Sequence, residues 1–147
     1  MDIKAALMEP KTWVTVGSVV LILILGLGPL MTGLEGGTDH PDSAHPELME
    51  SLSGDDKEAV VDIVNQNLFE FGLWNVIMCL MFLVMVYLTD GETQAKLAMV
   101  AAATMILISG IGSYQVNGDA YFMEWVTLSA ILAAPMLITG YMKLSAE

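Results

Sequence analysis

The 147-residue chain contains no arginine, one cysteine and two histidines, and only 15% of its residues are charged. Each scarcity removes a class of function. Arginine grips phosphate and carboxylate through paired hydrogen bonds, and here that chemistry would fall to five lysines. A net charge of −12 argues against nucleic acid as a partner, because phosphate binding needs a basic surface. The lone Cys79 permits no intrachain disulfide and no cysteine-based metal cluster. Both histidines, His40 and His45, lie in one short stretch, so no histidine elsewhere can act as a base. Neither a G-x-S-x-G elbow nor a phosphate loop is present, and no pattern of nucleophilic catalysis remains.

What the chain has in quantity is apolar surface. Its residues are 55% hydrophobic, gathered into four runs at 13–34, 68–89, 95–115 and 122–142. About 20 apolar residues suffice to cross a hydrocarbon core of ~30 Å. The sequence therefore predicts an all-α membrane protein, a single domain over 1–147 with four transmembrane helices in a bundle. Lys4 and Lys11 precede the first run as they would in a signal peptide. That run is too long for one and is not followed by an A-x-A cleavage pattern, which predicts an uncleaved first helix. Lysine placement sets the orientation, since acids weigh little in the positive-inside rule. With both termini inside, Lys4, Lys11, Lys96 and Lys143 lie inside and only Lys57 outside. The expected location is a prokaryotic cytoplasmic membrane, with residues 35–67 forming an outer cap. That cap is acidic, which fits a solvated face, a salt-adapted organism or a weak attraction for cations.

Local chemistry refines the runs. Gly26, Gly28 and Pro29 weaken the far end of the first helix. Pro46 suits the first position of a short helix, PELMESL, and Asp55 with Glu58 resembles a capping box starting the next. From there KEAVVDIVNQNLFEFGLWNVIMCLMFLVMVYL reads as one long helix that begins outside the lipid. In its first turns Ala59, Val60, Ile63, Val64 and Leu68 share one face, opposite Asp55, Asp62, Gln66 and Glu70. Helix 3 carries small residues at three- and four-residue spacings (Ala98, Ala102, Ser109, Gly110, Ser113), which allow close helix approach in lipid and predict the most enclosed helix of the four. Helix 4 repeats the spacing with Ser129/Ala133 and Ala130/Ala134 before Pro135, an expected kink.

Three groups of residues offer chemistry. The stretch TDHPDSAHPE supplies His40, His45 and Asp42, ligand types for zinc or copper(II). Each histidine precedes a proline and their spacing is five, so a preformed helical site is disfavoured and a solvated loop is the plainer reading. Where the second helix enters the membrane, Asn67, Glu70 and Trp74 fall at i, i+3 and i+7. An ionisable residue at the hydrocarbon boundary is costly unless it reaches water or a partner. Glu70 is thus a candidate for carrying a proton, for hydrogen bonding to a headgroup or a quinone oxygen, or for staying wet at headgroup depth. Glu124, at the outer end of helix 4, is a second carboxylate with the same alternatives. Finally Met78, Met81 and Met85 form a stripe beside Cys79, either copper(I) ligands or flexible helix packing.

Taken in order, a lone first helix, a long outer segment and three closely spaced helices resemble the DoxX-like group of small four-helix membrane proteins. The local matches are NLFEFGLWN (67–75) and SGIGSYQVNGDAYF (109–122), within a resemblance that spans residues 60–140. Members commonly carry a basic residue entering helix 2 and an arginine near the end of helix 3. Here Glu70 stands at the first position and no arginine exists, so those contacts are not carried over. The resemblance implies a four-helix bundle, and the group's best-known activity is as a membrane subunit of thiosulfate:quinone oxidoreduction. The expected function is a non-catalytic accessory subunit of a larger membrane complex, packing on other membrane subunits or on itself through helices 3 and 4. The alternatives are a quinone- or lipid-linked redox subunit using Asn67, Glu70, Trp74 and Glu124, and a copper-handling protein.

Overall fold

The structure, a computed structural model, describes residues 3–36, 42, 45–112 and 122–146. Its elements are helical throughout: α1 (Ile3–Leu7), α2 (Pro10–Glu35), α3 (Pro46–Ser51), α4 (Asp55–Leu88), α5 (Gly91–Ile111) and α6 (Phe122–Ala146). No strand occurs among the described residues. The helices α2, α4, α5 and α6 are each long and apolar enough to cross a membrane.

Prolines and glycines punctuate these helices. Pro10 and Pro46 occupy first-turn positions, where a missing N–H is harmless. Gly36, at φ 66°, closes α2 in the left-handed region that favours glycine. The expected Asp55–Glu58 capping box does not form. Gly54 takes the cap position and Asp55 is the first helical residue, so Asp55, Asp56 and Glu58 act instead as charges at the positive end of α4. Nor does α2 break at its glycines and proline. It widens into a π turn over Ile22–Leu27 and continues through Pro29 to Glu35. Proline cannot donate to the carbonyl four residues back and its ring crowds that carbonyl, and a wider turn just before it relieves both problems. A second π turn, Ile106–Ile111, ends α5, and α6 runs unbroken through Pro135.

The four long helices share one core, in which Val14, Leu21, Cys79, Val86, Met105 and Met136 are fully buried. In lipid, helices are drawn together mainly by van der Waals packing, so backbones must approach closely. Between α2 and α4 the approach depends on glycine. A Cβ at Gly72 would lie 2.5 Å from Leu30 N and 2.6 Å from Gly26 O, and one at Gly33 would lie 2.5 Å from Asn65 O. The inward face of α4 differs in part from the expected one. Val61, Val64, Asn65 and Leu68 are buried, while Ile63 and Ala59 face outward.

The α5 helix is the most enclosed, with 44% of its apolar window buried against 28–33% in the others. Ala98, Ala102, Ser109 and Gly110 all lie inside, and Ser113 lies outside the described residues. On α6 one of the two small-residue pairs is inward: Ser129 and Ala133 are buried, whereas Ala130 and Ala134 face outward and do not pack the bundle. The two pairs are offset by one residue, about 100° around a helix. Met136, Thr139 and Gly140 share the inward side with Ser129 and Ala133.

At one end of the bundle, polar side chains tie the helices together. Gln94 Nε2 donates to Val86 O (3.0 Å) and Thr89 O (2.9 Å), carbonyls at the end of α4 that have no partner within the helix. Gln94 Oε1 accepts from Lys143 Nζ of α6 (3.2 Å), which also pairs with Glu9 just before α2 (3.0 Å). We call this the turn end. The opposite end, with α3, the start of α4 and the start of α6, is the cap end.

Candidate functional site

Connectivity opens a cleft at the cap end. A two-residue connection, Thr89–Asp90, holds α4 and α5 together at the turn end. Towards the cap end, α4 is drawn to α2 by the glycine contacts, and the last turn of α5 packs on α6, with Gly110 against Val126 and Ser129. Towards that end the two helices are thus packed on different neighbours. Between them lies a cleft of about 530 Å³ lined by Asn67, Glu70, Phe71, Trp74 and Met78 of α4 and by Leu107, Ile108 and Gly112 of α5 and its end. The volume falls within the range of small-molecule sites.

The lining is graded along the helix. From Asn67 to Met78 it extends about 16 Å along α4, at 1.5 Å per residue. Polar groups, Asn67 and Glu70, stand at the cap end, followed by the rings of Phe71 and Trp74, then the thioether of Met78 with Leu107 and Ile108 opposite. The polar end is open: Asn67, Glu70 and Trp74 are all exposed, and Gln66 Nε2 donates to Glu70 Oε1 (3.1 Å). Where α4 and α5 meet, a buried hydrogen bond joins them. Ser109 Oγ donates to Asn75 Oδ1 (2.5 Å), and Asn75 Nδ2 donates to Phe71 O (2.9 Å). Both side chains are fully buried, and Ser109 belongs to the π turn that also presents Leu107 and Ile108 to the cleft. Such wide turns recur at functional sites because they shift the residues that follow onto a new face.

Comparison of the chain with protein-family models, curated proteins and solved structures finds no match.

The other candidate residues are placed differently. Glu124 is exposed in the first turn of α6 and is not among the residues lining the cleft. His40 lies outside the described residues. His45 stands just before α3, where its carbonyl accepts from Met49 N (3.0 Å), while Asp42 pairs with Lys57 (3.4 Å). Among the described residues no three histidine, cysteine, aspartate or glutamate side chains are grouped to hold a metal ion. The methionine stripe divides. Met78 is buried against the cleft and Cys79 in the core, while Met81 and Met85 line a separate apolar groove on the outer surface of α4 with Ile77, Leu80 and Val84.

Phe71, Leu107, Ile108 and Gly112 went unrecognised as lining residues in the sequence. Phe71 alone had a signal, as the aromatic next to Glu70. The three from α5 reach the cleft through a wide turn that leaves no mark in the hydrophobic pattern.

Proposed function

We propose that the chain is a small integral membrane protein, a non-catalytic subunit that holds a membrane-dissolved amphiphile in the cleft between α4 and α5. The cleft carries this reading, because its polar-to-apolar grading matches a molecule with a headgroup at the membrane boundary and a tail in the hydrocarbon. Helix length supports the depth. The 34 residues of α4 rise about 51 Å, and a hydrocarbon core of ~30 Å takes about 20 of them. Counted from Leu88, that span reaches Phe69, which sets Glu70 and Asn67 at the boundary and Trp74 and Met78 below it. Exposed Trp74 then lies about one and a half turns inside that boundary.

Lys11, Lys96 and Lys143 belong to the turn end and Lys57 to the cap end, so the positive-inside rule puts the turn end in the cytoplasm and the cap outside. The outward alanines of α6, Ala130 and Ala134, leave a smooth face on which another membrane helix fits closely. The DoxX-like resemblance of residues 60–140 supports a quinone as one possible amphiphile, with Asn67 offering an amide donor to a quinone oxygen.

Purification in mild detergent, with identification of co-purifying chains and of extracted lipophiles, tests the proposal. It predicts a partner chain and one amphiphile in roughly stoichiometric amount. A clean monomer free of both overturns it.

A further inference from the structure

The headgroup chemistry of the cleft points to one class of ligand. Building on the amphiphile-holding reading above, we infer that the cleft selects an amphiphilic organic cation, with its positive charge between the Glu70 carboxylate and the rings of Phe71 and Trp74. The one ionisable side chain among the described lining residues, Glu70, favours positive charge. The Glu70 carboxylate is exposed and can only accept hydrogen bonds when ionised. Among the described residues its one hydrogen-bonding partner is the neutral Gln66 amide and no ion pair cancels its charge. Aromatic faces attract a cation further, most strongly for tryptophan and most of all where water is thinned. Both rings stand within one helical turn of Glu70 and line the same cleft.

Nothing in the lining balances an anion. No lysine is among the described residues lining the cleft, and the chain has no arginine. Lys57, the one lysine of the cap end, lies about 20 Å along α4 from Glu70 and is paired with Asp42. Above the cleft the same helix presents Asp55, Asp56, Glu58 and Asp62 to solvent, a field that concentrates cations and repels phosphate and sulfate headgroups. A quinone is less well served. Its oxygens need donors, and beside Asn67 they would face the acceptor Glu70. The deeper lining, Met78, Leu107 and Ile108, is soft and apolar and suits a hydrocarbon or aryl tail rather than a small inorganic ion.

A pair of probes matched in size and hydrophobicity but opposite in charge isolates the claim. Protein in bilayer discs of uncharged-headgroup lipid is titrated with tetraphenylphosphonium or tetraphenylborate, and binding is followed by tryptophan fluorescence and equilibrium dialysis. The expected result is saturable tetraphenylphosphonium binding, weakened roughly two- to fivefold by Glu70→Gln, as for loss of one exposed charge contact. Glu124→Gln, outside the cleft, leaves it unchanged, and Trp74→Phe removes most of the fluorescence response. Because Glu70 is exposed and glutamine is isosteric, the variant retains the fold, which circular dichroism checks. Equal binding of the two probes, or an unchanged affinity in Glu70→Gln, overturns the inference. A third titration, with decylubiquinone, separates it from the broader reading. Saturable quinone binding without phosphonium binding overturns the cation but keeps an amphiphile site, and failure of all three probes removes both.

Discussion

At the scale of single residues, glycine decides whether α2 and α4 meet. A methyl group at Gly72 would fall within 2.6 Å of two backbone atoms of α2, Leu30 N and Gly26 O, neither of which can move without moving a helix. Gly72→Ala is therefore expected to destabilise the protein by about 1–3 kcal/mol, the usual cost of overpacking. Gly28→Ala is the control, because a Cβ there meets nothing within 4 Å. It should be neutral or slightly stabilising, since alanine is the better helix former by about 0.8–1 kcal/mol. Unfolding in mixed micelles measures both, and equal effects would mean that α2 and α4 do not approach as described. Glycines entering and leaving an apolar run were visible in the sequence. Which of them a neighbouring backbone touches depends on a contact more than forty residues away, as between Gly26 and Gly72, and no local pattern encodes it.

At the scale of elements, the cleft runs along α4 and α5, which are joined in two places. One join is the connection with its Gln94 clasp, and the other is the Asn75–Ser109 hydrogen bond. A double-mutant cycle with Asn75→Ala and Ser109→Ala should give a coupling of roughly 0.6 kcal/mol or more, the average found for hydrogen bonds between membrane helices, whose maximum is about 1.7 kcal/mol. Additive single effects would place the two side chains apart and the cleft without its floor. The existence and order of the helices were legible from run length, and so was the extension of α4 beyond its apolar run, from the amphipathic turns after Asp55. The π turns were not, because a widened turn leaves no mark in the hydrophobic pattern. The inward side of α6 was not legible either. Ser129/Ala133 and Ala130/Ala134 have the same small-residue spacing, and only the surrounding helices choose between them. Asn67, Glu70 and Trp74 could be grouped from sequence because their i, i+3, i+7 spacing puts them on one stripe of one helix. Glu124, on another helix, could not be placed that way.

At the scale of the whole molecule, charge is unevenly divided. The cap end carries exposed carboxylates and one paired lysine, and the turn end carries Lys11, Lys96 and Lys143. If that division orients the protein, a single cysteine introduced at Lys57 in a Cys79→Ala background will react with a membrane-impermeant maleimide from outside intact cells. One introduced at Lys96 will react only after the membrane is opened, and the reverse pattern would invert the proposed topology. With that orientation the cleft faces the outer boundary of the bilayer, open sideways to the lipid and upward to the acidic cap.

The central claim is that this cleft is a ligand site rather than a gap between helices. Native mass spectrometry of the intact protein released from mild detergent, with and without Leu107→Trp to fill part of the cleft, tests it most directly. Leu107 is exposed and outside the core, so the larger ring occupies the cleft at little cost to the fold. The account predicts one retained amphiphile on the native protein, lost in Leu107→Trp and depleted in Glu70→Gln. The same adduct at the same occupancy on the native and filled proteins would contradict it.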